Sequence, residues 1–261
     1  MRIAMSVRVF GTLVVALALM MLGGTAMAGG SGVHPPKAYT CTSGDIPSGH
    51  YASITVRGAC SVPADAVVSV VGDVTVMAGA QFDAQSAPST ITVGRNVVAA
   101  SGSLLGLGCQ SGEYTGNSGH ECAIEPTWHS TITVNGNITA VRAAAVLVNG
   151  ITLHGNLTLL GGGGPIPWSI KNNTIGRNVT VVGQTTDWVG VLFNSIRGNV
   201  TLLHITVTDT DPGAPGAFVV RNAIGRNLIC AGITPGVSGG FVPGSVNVVG
   251  GSAIGQCASL V

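Results

Sequence analysis

The chain has 261 residues, of which 40 are glycine, 46% are apolar and only 21 are charged, 11 basic and 10 acidic. This balance excludes a charged disordered polymer and a helix-rich protein. A net charge of +1 cannot neutralise many phosphates, so neither nucleic acid nor an anionic membrane surface is expected as a partner.

Residues 1–28 read as a secretory signal peptide: Arg2 and Arg8 precede the apolar run FGTLVVALALMML, and Ala26-Met27-Ala28 has the small-x-small pattern of a cleavage site. Cleavage there starts the mature chain near Gly29 and leaves 9 basic against 10 acidic residues. No later stretch is long enough to span a bilayer, so the expected product is secreted, extracellular and free of membrane. Residues 29–53, rich in Gly, Pro and Ser, are expected to form a tail and N-terminal cap, and residues 54–261 a single domain with a C-terminal cap.

Six cysteines in an oxidising compartment are expected to form disulfides. Of the fifteen possible connectivities, locality suggests Cys41 with Cys60, Cys109 with Cys122, and Cys230 with Cys257. The first and last pairs would staple the ends of the domain, and the middle pair would close the glycine-rich excursion SGEYTGNSGHE. No C-x-x-C spacing occurs, so no metal centre is expected.

Internal repetition sets the architecture. VGDVTV at Val71 recurs as VGRNVV, VNGNIT, LHGNLT, IGRNVT, IRGNVT and IGRNLI, aligning Asp73, Asn96, Asn137, Asn156, Asn178, Asn199 and Asn227. The steps are 23, 41, 19, 22, 21 and 28 residues, so the unit is one winding of roughly 20 to 23 residues, sometimes carrying an insertion. A second phrase, VLVNGI, IKNNTI, VLFNSI and VVRNAI, aligns Asn149, Asn173, Asn194 and Asn222. Two asparagine columns mark two recurring bends, because asparagine tolerates left-handed backbone and bonds neighbouring amides. Between them lie short alternating runs of Val, Ile, Leu and Thr, which read as strands with one buried face. The same phrase recurs in the same direction, so equivalent strands stack in parallel about 4.8 Å apart. The predicted fold is an all-β, right-handed parallel β-helix of about nine windings with disulfide-stapled ends. A leucine-rich repeat is the runner-up, lacking a persistent L-x-x-L-x-L frame.

The G-N-V-T windings, the early Cys41 and Cys60, and the closing patterns NLICAGITPG and GQCASL together resemble small secreted proteins of actinomycete bacteria. Those proteins usually carry asparagine where this chain has Ile233. The resemblance covers the mature chain and implies a secreted β-helix without implying a reaction. The scaffold is also similar to that of pectate lyases and other polysaccharide-active β-helices, a likeness that does not fix activity.

Trp128, Trp168 and Trp188 lie 9, 10 and 11 residues before Asn137, Asn178 and Asn199, so they are expected to line one face as a platform for sugar rings. Asp187, Asp209 and Asp211 fall on adjacent windings beside them, as candidate catalytic carboxylates or, under that reading alone, as ligands for Ca²⁺. Otherwise no cofactor is expected. Glu113, His120, Glu121, Glu125 and His129 cluster around the excursion but lack the H-E-x-x-H frame of a zinc site. Arg95, Arg177, Arg197, Arg226 and His154 dot the bends as a solvated face. The Thr75, Thr139, Thr158, Thr180 and Thr201 column reads as an outward ladder. It lacks the T-x-T pairs of an ice-binding array.

The favoured reading is an exported binding or structural module contacting an envelope or environmental polysaccharide. The second is a polysaccharide lyase or glycoside hydrolase using the three aspartates. A purely structural protein that associates end to end is the third, and the repeat leaves the oligomeric state open.

Overall fold

A computed structural model describes residues 35–209, 213–242 and 244–261. The leader at 1–28, the segment 29–34 and Asp211 lie outside the described residues.

Each winding contributes three short strands. Val74–Val76, Gln81–Ala84 and Thr90–Val93 are followed one turn later by Val97–Ala99, Leu104–Leu107 and, beyond the excursion, Thr131–Val134. Equivalent strands pair in parallel, giving three sheets around one core. The fold is therefore a parallel β-helix. In the first sheet Thr55, Thr75, Val98, Thr139, Thr158, Thr180 and Thr201 stand over one another as an outward ladder. Their neighbours Ile54, Val74, Val97, Ile138, Leu157, Val179 and Val200 point inward and are buried. The alternation follows from the two-residue period of a strand, and parallel stacking turns each inward position into a continuous column of Val, Ile and Leu.

The stack begins earlier than Ile54. Lys37–Asp45 already lies parallel to Gly49–Ser61, pairing Thr40 with Thr55 and Cys41 with Val56. Its glycines and polar residues hide the pattern in the sequence, while Cys41 and Ile46 supply the buried side. Cys41 is bonded to Cys60, Cys109 to Cys122 and Cys230 to Cys257.

The first asparagine column is a hydrogen-bonded ladder. Asn96 donates its backbone N–H and its Nδ2 to Asp73 Oδ1 at 2.9 and 3.0 Å, and Asn137, Asn156, Asn178, Asn199 and Asn227 repeat this toward the preceding winding. Ser252 N–H ends the series on Asn227 Oδ1. The glycine of the phrase has a separate cause: a Cβ at Gly136 or Gly155 would strike the carbonyl oxygen of Arg95 or Gly136 stacked beneath it.

The second column differs from the expected alignment. Asn149 pairs with Lys171, so the residue stacked on Asn173 is Ile151. Along the helix this inward position reads Val68, Ile91, Ile132, Ile151, Asn173, Asn194, Asn222 and Asn247, apolar in the first half and amide in the second. Asn149 lies outside the ladder and accepts from Ser169 Oγ at 2.9 Å. Its seven-residue spacing to Asn156, against five in the other windings, marks the discrepancy. Nor do the ladder asparagines adopt left-handed backbone. That conformation falls on Gly150, Asn172, Phe193 and Arg221, one residue earlier, and at another bend on Arg142, Gly161, Gly183, His204 and Gly232. The asparagines are there for their amides, which pair groups that burial would leave orphaned.

Candidate functional site

The three tryptophans do not share a face. Trp168 pairs with Val189, one residue past Trp188, so the two side chains fall on opposite sides of the sheet. Trp168 is fully buried in the core, where its Nε1 donates to Ala144 O at 3.1 Å. Trp188 faces outward, and Trp128 lies six residues past Cys122, beyond the excursion, 58% exposed. A single register difference, 10 against 11 residues before the asparagine, removes the expected aromatic line.

A different aromatic group forms around Trp188. Its ring packs edge-on against Phe218 with centroids 5.2 Å apart, and Phe218 meets Phe241 in the same manner at 5.8 Å. Gly190, two residues after Trp188 and paired with Phe218, leaves room for the indole: a Cβ there would run into the Trp188 and Leu192 side chains. With Leu192, Phe193, Val220 and Val242, these rings line a cleft of about 250 Å³ whose rim carries Lys171 and Ser118. Phe218 was legible as the outward position matching Gly190 in VGVL and AFVV. Phe241, 64% exposed, comes from a turn-rich segment with no periodic marker.

The excursion builds the other candidate surface. Ser111 Oγ accepts from Tyr114 N–H at 3.1 Å and starts the short helix Gly112–Thr115, which ends at Gly116 in left-handed conformation. The disulfide Cys109–Cys122 closes the base. From there the loop reaches two windings along the helix: Gln110 Nε2 donates to Gly150 O at 3.2 Å, Asn117 Nδ2 to Asn172 Oδ1 at 2.9 Å, and Lys171 Nζ to Ser118 Oγ and Gly119 O at 3.0 and 2.9 Å. Burial holds the Lys171 ammonium below the usual lysine pKa range. Burial likewise lowers the His120 imidazole, with the Lys171 charge adding to it and Asp83 opposing.

Two adjoining cavities of about 270 and 330 Å³ run beneath this loop and share Gln110, Tyr114, Asn172 and Thr174. Their floor is an outward hydroxyl ladder on the third sheet, Thr133, Thr152, Thr174 and Ser195, one per winding. Their wall is Tyr114 stacked on His129, centroids 3.9 Å apart at 15°. Asn117 Oδ1 is buried there with no hydrogen-bond partner. The trough thus presents hydroxyls, amides, the Tyr114–His129 stack and Phe193, without a carboxylate among its lining residues. Of the sequence candidates, only His129 belongs to it. Glu113, His120, Glu121 and Glu125 do not line it, and no metal-holding group of three His, Cys, Asp or Glu occurs among the described residues.

Asp187 and Asp209 do stack on adjacent windings, Asp209 N–H donating to Asp187 O at 2.9 Å, in a segment paired through Thr185–Thr186 and Thr206–Val207. Asp211, the third candidate, is not among the described residues.

The described residues define a disulfide-bonded parallel β-helix of the structural or binding kind, with ligand-sized depressions on its outer faces. Compared with protein-family models, characterised proteins and solved structures, the chain matches none of them.

Proposed function

We propose that this protein is an exported binding module that holds a polysaccharide in the trough beneath the Cys109–Cys122 loop. The observation that carries this reading is the lining itself: a regular hydroxyl ladder opposite the Tyr114–His129 stack. Rungs about 4.8 Å apart offer hydrogen-bonding groups at a spacing comparable to the rise per sugar of an extended glycan. The aromatic wall matches the apolar face of a pyranose ring. A neutral polymer suits this surface better than a strongly acidic one, because no lysine or arginine lines the trough.

The test is calorimetric titration of the secreted chain against a panel of soluble envelope and plant polysaccharides. Tyr114→Ala and Gln110→Ala should each weaken binding of a positive polymer by roughly tenfold, about 1.4 kcal/mol, with the circular dichroism spectrum unchanged. Binding unaffected by both variants, or no binding across the panel, would refute the reading. Amino-terminal sequencing of protein from culture supernatant should begin near Gly29 if the leader is removed as expected.

The stacking of the Asp187 and Asp209 main chains on adjacent windings motivates a second reading, cleavage of a polysaccharide by these two carboxylates. New reducing ends or unsaturated products that vanish in Asp187→Ala would support it, and binding without products would dismiss it.

A further inference from the structure

The outward side of the second sheet changes character along the helix. Ser169, Gly190, Phe218 and Ser238 stack as one column, and Lys171, Leu192 and Val220 as the next. Leu192, Phe218 and Val220 form an apolar cluster separate from the core, with Trp188 and Phe193 packed against it. With Phe241 they line the cleft of about 250 Å³, and because Trp188 is half-buried and Phe241 exposed, its rings are open to a ligand. Phe193 holds its ring there from left-handed backbone, φ 56°, at a bend where other windings use Gly150, Asn172 and Arg221. A bulky residue is costly in that conformation and is retained for what its side chain does. At the end of the second column stands Lys171, half-exposed and lining the cleft together with Ser118. Its ammonium donates to Ser118 Oγ and Gly119 O, which leaves one N–H over, and no carboxylate of the described residues pairs with it.

A partly buried cation without a counter-ion, fixed beside an aromatic cleft, is the complement of an organic anion with an apolar body. We infer that this cleft binds a small aryl carboxylic acid, its ring among Trp188, Phe218 and Phe241 and its carboxylate on Lys171. The chemistry matches group by group. The edge-on rings offer a further ring the same edge and face contacts they make with each other. One carboxylate oxygen accepts the spare Lys171 N–H, and the other accepts the Ser118 hydroxyl, whose hydrogen is left over when its oxygen accepts from Lys171. Lys171 and Val220 stand two windings apart, about 10 Å, which one ring, a short linker and a carboxylate span. An amine would set its charge against Lys171, and a sugar would lay its hydroxyls on aromatic carbon. The cleft shares only Phe193 with the trough, so failure of one assignment leaves the other standing.

The probes are phenylacetate, its neutral isostere phenylacetamide, acetate and N-acetylphenylalanine, added to the folded chain and followed by calorimetry and saturation-transfer NMR. Phenylacetate should bind saturably, with the strongest transfer at its ring protons, and phenylacetamide and acetate at least about tenfold more weakly. Equal affinity for phenylacetamide, or no binding of phenylacetate, would overturn the assignment. Tighter binding of N-acetylphenylalanine would overturn the small acid in favour of the carboxyl terminus of a polypeptide. Lys171→Met keeps the stem and removes the charge, so it should bring phenylacetate down to the level of phenylacetamide, whose own affinity should not move. A surviving preference for the carboxylate in that variant would also overturn the assignment. Phe241→Ser alters an exposed ring outside the core and should weaken phenylacetate by at least about tenfold with the melting temperature unchanged. Unchanged affinity there would count equally against it. The comparison of acid with amide needs only the wild-type chain and decides the question if Lys171→Met does not fold.

Discussion

Asn173 donates both its backbone N–H and its Nδ2 to Oδ1 of Asn194, at 3.0 and 2.9 Å, one winding further along the helix. The same Nδ2 also reaches back to Val148 O at 2.8 Å. Asn194 and Asn222 repeat the arrangement, and it closes on Asn247, whose Nδ2 donates to Leu260 O. This inner ladder donates toward the C-terminus, whereas the outer ladder from Asp73 to Asn227 donates toward the N-terminus. The two rows of amide dipoles therefore oppose each other, and their donors and acceptors are consumed rung by rung.

Breaking the inner ladder should be expensive. Asn194→Ala strands the buried Asn173 N–H and removes the amide bond to the Ile170 carbonyl. A loss of roughly 2 to 5 kcal/mol is expected from urea unfolding. Thr180→Ala, on the outward ladder of the first sheet, should stay within about 0.5 kcal/mol.

The tryptophans separate by environment. Trp168→Ala empties a fully buried site in the core and should cost about 3 to 5 kcal/mol. Trp128→Ala should leave stability within about 0.5 kcal/mol and remove the most solvent-exposed, red-shifted part of the fluorescence. Comparable destabilisation by the two substitutions would contradict the pairing of Trp168 with Val189 that turns its ring into the core.

The Cys109–Cys122 bridge closes a short loop on the surface, while the windings beneath are joined by their own ladders. Replacing both cysteines with serine should preserve the far-UV spectrum. It should also free the loop at a cost of up to about 3 kcal/mol and weaken polysaccharide binding. Amide hydrogen exchange should rise at Gln110–Cys122 before it rises in the strands.

His120 provides a pH dependence. Burial holds its folded-state pKa below the ordinary 6.5, so between that lower value and 6.5 the unfolded chain binds more protons than the folded one. Stability is retained above 6.5 and falls as pH drops through that window. The melting temperature of the wild type should therefore decline more steeply from pH 7 to pH 5 than that of His120→Gln. Parallel curves would exclude His120 as a source.

The outer asparagine column could be read directly because each Asn sits in a recurring phrase and makes the same pair of bonds to the preceding winding, whatever the length of the insertion between them. Asn247 escaped notice because its winding ends in Ser252 and lacks the G-N-V-T phrase, although the five-residue offset persists. Tyr114, Gln110, Asn117 and Lys171 offered no periodic marker at all. The first three belong to an insertion, and Lys171 gains its role only when Ser118 and Gly119 fold onto it.

Repetition in the chain determined the winding, its parallel stacking and the rungs of the outer ladder, because a phrase repeated in one direction can bury its apolar positions only by lying over its own copy. Tertiary structure decided which side of the sheet each aromatic ring occupies and where the excursion comes to rest. The physical reason is the two-residue period of a strand: one residue of slip moved Trp168 into the core and left Trp188 outside to meet Phe218.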